Sequence, residues 1–300
     1  MGRAPGQQPV TDGTAPLPVA NDPGTPLIPE GLDATLVLLR HGESQMIVEH
    51  RFQGQAETPL SATGRRQAAL AAERLARPHA SPVLPVPRGL PLEIVHSPLA
   101  RTTETARAVA EAIALEAGNG REGAPLPALR PDRGFLEIAQ GEWEGVHQDE
   151  IARRWPEILG AWRRRPWETW APGGESPAEV QARVIPALRT VLERLGRDYP
   201  RGTMDRPQVA GYAGGTASAD QPWSILVGHD GVFKVTMLSL FGIPLQHFWM
   251  FTMALTGITV VDIRGGRPVI RAANLTEHLA PLLDEAAIAA AEQRARSGAL

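Results

Sequence analysis

Thr35-Leu36-Val37-Leu38-Leu39-Arg40-His41-Gly42-Glu43-Ser44 is the stretch on which the reading of the chain turns. An unbroken apolar run stops at an Arg-His pair followed by glycine. A continuous apolar run closed by a turn signal is the pattern of a strand buried on both faces, as in a parallel or mixed α/β sheet. Such sheets bind ligands at the carboxyl ends of their strands. There Arg40 can neutralise an anion, and His41 can act as nucleophile or base. A lone histidine in this position is more often a hydrogen-bonded structural residue, so the pair has to be weighed against the rest of the chain.

With 300 residues and 43% hydrophobic content the chain can bury a sizeable core, and one α/β domain is the simpler organisation. A formal net charge of -3 argues against a nucleic-acid or anionic-membrane partner, which normally leaves a strong basic excess. Of the 30 basic residues only Lys234 is lysine, a bias that genome composition explains. Zero cysteines exclude a disulfide frame, a thiolate nucleophile and a cysteine-ligated metal. Residues 1–32 are rich in Pro, Gly, Asp and Thr and read as a flexible tail. They hold no apolar run long enough for a signal peptide or a membrane span, which makes the cytoplasm the default.

Leu39-Arg40-His41-Gly42-Glu43-Ser44 resembles the LRHGE[TS] signature of the histidine phosphatase superfamily, in its phosphoglycerate-mutase-like branch. Members assemble a phosphate pocket from distant segments, and the corresponding segments occur here in order. Gln53-Gly54, Glu57-Thr58-Pro59-Leu60 and Gly64-Arg65-Arg66-Gln67-Ala68 stand at the family's spacings from His41. The resemblance implies that Gln53 and the Gly54 amide line the phosphate or substrate pocket. Two positions depart from the pattern. Glu57 replaces the usual aspartate, and Ile47 stands where an asparagine commonly contacts the phosphate, a loss of one donor worth about 1 kcal/mol.

Ser97-Pro98-Leu99-Ala100-Arg101 follows a second strand candidate at 92–96 and opens a helix. Ser97 reads as its N-cap and Pro98 as its first residue, with Arg101 in the opening turns. By resemblance Arg101 is a second phosphate ligand. Leu136-Glu137 and Gly141-Glu142-Trp143-Glu144-Gly145 are similar to a family run whose first glutamate, here Glu137, gives a proton to the leaving group. The alternative is that Glu137 pairs with Arg40 or Arg101. Trp223–Gly228 followed by His229-Asp230-Gly231 repeats the opening pattern, and resembles the family's second catalytic histidine segment. His229 would then hold and charge-stabilise the phosphoryl group, with the amino end of the next helix adding amide donors. Pro172-Gly173-Gly174-Glu175-Ser176 matches a family turn in which Glu175 either reaches the site or orders the loop. Ser44 and Asp230, beside the two histidine segments, are further substrate-binding candidates.

The expected fold is a three-layer α/β/α domain over 33–300, with a mostly parallel central sheet. A helical cap is inserted at 147–176 and a mobile loop at 199–221. The tryptophans and Arg163, Arg164 and Arg165 near the cap either touch the non-phosphate part of a substrate or pack beneath a lid. Strand candidates at 256–263 and 269–273 meet at a Gly265-Gly266 turn. An alanine-rich helix from 280 to 300 packs on the domain or on a second copy, which leaves a homodimer open. The function implied is metal-independent hydrolysis of a small phosphorylated metabolite through a phosphohistidine, with no cofactor. The alternatives are a phosphoglycerate-type mutase and a weakly catalytic phospho-ligand-binding protein.

Overall fold

The computed structural model describes residues 25–119, 126–197 and 221–286. The expectations for most of the tail, the 199–221 loop and the end of the last helix lie outside these residues. Strand β1 (Ala34–Arg40) is buried along its length, as its apolar run requires. It belongs to a six-stranded sheet whose order is β3 (Ala128–Pro131), β2 (Glu93–His96), β4 (Trp223–Gly228), β1, β5 (Ile258–Arg264) and β6 (Arg267–Leu275). The first four strands are parallel, while β5 and β6 form an antiparallel hairpin on one side. Gly265 and Gly266, both at positive φ, make the hairpin turn expected from the sequence.

Alternation along the strands divides the core into two layers. Leu36 and Leu38 face one cluster that takes in Val180, Val184, Leu188 and Leu192 of α6 (Pro177–Arg197) and Val235 of α7 (Asp230–Leu240). Val37 and Leu39 face the other, against Ala71 and Leu75 of α2 (Ala62–Ala76) and Val109 and Ile113 of α3 (Ala100–Ala117). A third, smaller cluster joins Trp143 to Ile151 of α4 (Gln148–Arg154) and Leu159 of α5 (Pro156–Arg164), so the cap candidate has a core of its own. The short α1 (Gln45–Val48) follows β1 directly.

Several boundaries differ from the reading of the sequence. β3 was not expected, because it is a four-residue edge strand whose side chains are mostly exposed and carry no apolar alternation. Ser61 caps α2, accepting the Gly64 amide. Ser97, however, is not the cap of α3: the helix begins at Ala100 with Leu99 in the cap position, and Ser97 is freed for another partner. The tail reading also runs too far, since Leu27, Ile28 and Leu32 pack against the α6–α7 side of the core.

The turn after β1 is pressed against the start of α2. A Cβ on Gly64 would lie 1.8 Å from the Glu43 carbonyl oxygen, and one on Gly42 would lie 2.4 Å from the Gly64 oxygen. Neither backbone can retreat without moving His41. Gly64→Ala is therefore expected to destabilise the protein by about 1–3 kcal/mol, the usual cost of overpacking, and to lower activity with it. A urea midpoint indistinguishable from wild type would show that this contact does not hold the turn.

Candidate active site

β1 and β4 are paired in parallel with Arg40 opposite Gly228, and the His41 amide donates to the Gly228 carbonyl at 3.0 Å. His41 and His229 thus leave the sheet at one level, and their ring centroids are 5.1 Å apart. β2 ends beside them and leads through Ser97 into α3, which delivers Arg101. A cavity of about 320 Å³ opens here, lined at its inner end by Arg40, His41, Gln53, Gly54, Arg101 and Glu137.

His41 is buried and its Nδ1 lies 2.6 Å from the Gly42 carbonyl oxygen. A carbonyl only accepts, so Nδ1 carries the proton and Nε2 keeps its lone pair. Arg101 is fully buried, and its Nη1, Nη2 and Nε donate to Ala56 O (3.0 Å), Gly54 O (2.7 Å) and His229 Nδ1 (3.3 Å). Since His229 Nδ1 accepts, its Nε2 bears the hydrogen and donates to Ser97 Oγ at 2.9 Å. His229 therefore has no spare N–H in this state, and it sits behind the cavity wall. Contact with a phosphoryl group requires it to exchange one of these two partners. Gly54 lines the cavity as expected, and its carbonyl accepts from Arg101.

Glu137 pairs with neither arginine. Its Oε1 accepts from the Ile138 and Val232 amides (both 2.9 Å) and its Oε2 from the Gly231 amide (3.1 Å). The first amides of α7 are donors without partners inside the helix, and a carboxylate satisfies them. The amide donors expected to serve the phosphoryl group are thus taken by Glu137. Oε1 takes two of these contacts and Oε2 one.

The remaining candidates divide. Asp230 lines the cavity, 3.9 Å from Arg40 Nη1 and 2.6 Å from Lys234 Nζ. Glu175 lines it too, but its carboxylate is held by Arg183 (2.8 and 2.9 Å) and the Ala139 amide (2.9 Å). Ser44 is buried away from the cavity: it caps α1 and donates to Gln53 Oε1 at 2.6 Å, fixing a residue that does line it. Ile47 lies on α1 and is not part of the lining. Three residues not singled out from the sequence support the site. Ser97 holds His229, while Gln55 and Arg183 bind both the Glu137 carbonyl and Glu175. Only Ser97 carried a signal, as part of a quoted motif.

Burial pushes the pKa of both histidines well below the usual 6.5, and the nearby Arg101 guanidinium lowers each further. Arg101 itself is lowered to about 10 by burial. Both imidazoles are accordingly neutral near pH 7, which keeps Nε2 of His41 nucleophilic and denies His229 a resident charge. The unfolded chain binds more protons below about pH 6.5 than the folded one, so stability falls as pH drops through and below that value. Imidazole NMR is expected to find both rings unprotonated at about pH 6, and Arg40→Gln to raise the His41 pKa. A His41 titration at or above the ordinary value would overturn this assignment.

The chain matches the description of the histidine phosphatase superfamily (branch 1) over residues 36–199 and 213–276. It is 29% identical over 252 residues to phosphoserine phosphatase 1 of Hydrogenobacter thermophilus, covering 84% of this chain and 97% of the relative. It is 31% identical to the glucosyl-3-phosphoglycerate phosphatase of Mycolicibacterium vanbaalenii, over 71% and 76% of the two chains. Among solved structures, a mycobacterial glucosyl-3-phosphoglycerate phosphatase complexed with VO3 superposes with a TM-score of 0.61 at 27% identity, over 81% of this chain and all of the other. With this fold, these segments in this order and phosphatases as relatives over most of its length, the chain is a phosphatase that belongs to the histidine phosphatase superfamily.

Proposed function

We propose that the protein hydrolyses a small phosphorylated metabolite in two steps through a phosphohistidine, without a metal. The observation that carries this reading is the locked tautomer of His41, which leaves a neutral Nε2 lone pair at a cavity bearing two guanidinium groups. In the first step Nε2 attacks phosphorus, the ester P–O bond breaks, and the departing alcohol takes the proton of Glu137. In the second, water attacks phosphorus, its proton passes to the Glu137 carboxylate, and the N–P bond breaks to release phosphate and free His41. Arg40 and Arg101 offset charge on the phosphoryl oxygens, the part that a metal plays in other phosphoryl-transfer sites. His229 joins them on exchanging a partner.

The relatives' names supply two candidate shapes, an amino-acid phosphate and a glycosylated glycerate phosphate. A diffusible substrate of this kind fits a cytoplasmic enzyme. The net charge of -3 supports a protein with no nucleic-acid or membrane-surface partner, and among the described residues no helix is long and apolar enough to cross a membrane. A homodimer stays part of the proposal.

Rapid quenching of wild type with substrate is expected to trap an acid-labile, base-stable phosphoryl-enzyme that His41→Ala lacks, together with turnover. Near-normal rates in His41→Ala would reject the nucleophile. A strong chelator is expected to leave turnover intact, and activity lost to the chelator but restored by magnesium or zinc would reject the metal-free reading. Glu137→Gln should slow alkyl phosphates by about 10²–10⁴-fold and an aryl phosphate far less, since an aryl oxide leaves without a proton. Equal losses on both would make Glu137 a structural ligand of α7.

A further inference from the structure

Beyond the phosphate end, the cavity is walled by Trp162, Trp170, Phe248 and Trp249. Trp249 and Trp170 remain 44% and 39% exposed, large apolar surfaces left toward solvent at the mouth of a binding cavity. Trp249 is nonetheless fixed in place. Its ring meets Trp162 edge-on at 5.7 Å and Phe248 edge-on at 5.0 Å, and Lys234 Nζ lies 4.7 Å from its centroid. Lys234, the sole lysine, is in turn nearly buried and bonded to Asp230. A rigid exposed indole costs little entropy when a ligand covers it.

The charges at this mouth are already matched. Arg51 Nε lies 3.0 Å from Glu49, Asp230 is bonded to Lys234, and Glu175 is gripped by Arg183. A carboxylate or ammonium on the alcohol half of a substrate would find each opposite charge engaged, and would be desolvated without return. Gln140 adds the complementary signal: it lines the cavity, and its buried Oε1 has no hydrogen-bond partner among the described residues. A lone buried acceptor calls for a hydroxyl or amide donor.

We propose, resting on the phosphatase reading above, that the alcohol half of the substrate is an uncharged hydroxylated ring. It is a phosphorylated carbohydrate or glycoside, stacked on the Trp249–Trp162–Trp170 wall with a hydroxyl donating to Gln140. Compact charged alcohols such as serine or glycerate meet only the phosphate end. Carbon-bound hydrogens on one face of a sugar ring pack on indole, and the hydroxyls at its edge supply the polar contacts that fix its orientation.

The test is a comparison of kcat/KM for glucose phosphate and ribose phosphate with glycerol phosphate, phosphoserine and phosphoglycerate, on wild type and on Trp249→Ala, Trp170→Ala and Gln140→Ala. Wild type is expected to prefer the ring phosphates by about tenfold or more. Each variant should lose several-fold more on the ring phosphates than on glycerol phosphate, with the loss mainly in KM. A wild-type preference for phosphoserine or phosphoglycerate would overturn the inference and leave the phosphatase reading standing, as would equal losses on all substrates in folded variants. Turnover of none of these esters would defeat that reading itself. The wild-type comparison decides the matter even where a variant does not fold.

Discussion

The parallel pairing of β1 with β4 is the constraint on which the rest of the site depends. In this register Arg40 stands opposite Gly228, so the two strands hand over to His41 and His229 at the same height. A slip of one residue would turn every side chain of β1 to the other face, exposing Leu36 and Leu38 to the wrong layer and aiming His41 away from His229. The core therefore enforces the chemistry. β2, paired with β4 on its far side, brings Ser97 and the start of α3 to the same edge. Three non-consecutive segments thus meet at one point because their buried strands have one way to pair.

Electrostatically the inner end of the cavity is dominated by two guanidinium groups, Arg40 and Arg101. Arg101 is fully buried, yet it donates to two carbonyls and a neutral ring nitrogen and to no carboxylate. Taking a guanidinium out of water is costly, and burial lowers its pKa to about 10 although the nearby charges of Glu137, Glu57 and Glu144 pull the other way. Burial first, and the Arg101 charge after it, lower both histidines as well. Arg40 shows the pattern in milder form, with Asp230 at 3.9 Å and a buried Nε that meets no acceptor. In the proposed reaction a phosphate dianion meets both arginines at once.

How much of this was legible in the sequence follows from what each feature depends on. The buried strands were, because parallel strands packed on both faces must be continuously apolar: β4 runs over the residues read from the sequence, and β1 differs by one at each end. β3 was not, since an exposed edge strand is under no such demand. Arg40, His41, Arg101, Glu137 and His229 were recognisable from motifs, and the fold gathers them around one cavity. Their present partners were not recognisable, because a hydrogen bond such as His229 to Ser97 joins residues 132 positions apart and depends on which ring nitrogen holds the proton. The aromatic wall divided along the same line. Trp155 packs against the cap core, whereas Trp249 lies far along the chain from the tryptophans of the cap and reaches Trp162 only through the fold.

Helix α7 ties the two ends of the cavity together. Its free amides at Gly231 and Val232 hold Glu137, its first residue Asp230 approaches Arg40, and one turn on Lys234 backs the ring of Trp249. The positive end of a helix would ordinarily be offered to the phosphate. Here it is spent on Glu137, whose carboxylate accepts the Gly231 and Val232 amides. Asp230 is shared between Lys234, at 2.6 Å, and Arg40, at 3.9 Å, while Arg40 also donates to the Met253 carbonyl. The residue that approaches Arg40 and the residue that backs the ring of Trp249 are thus one helical turn apart on the same rigid element.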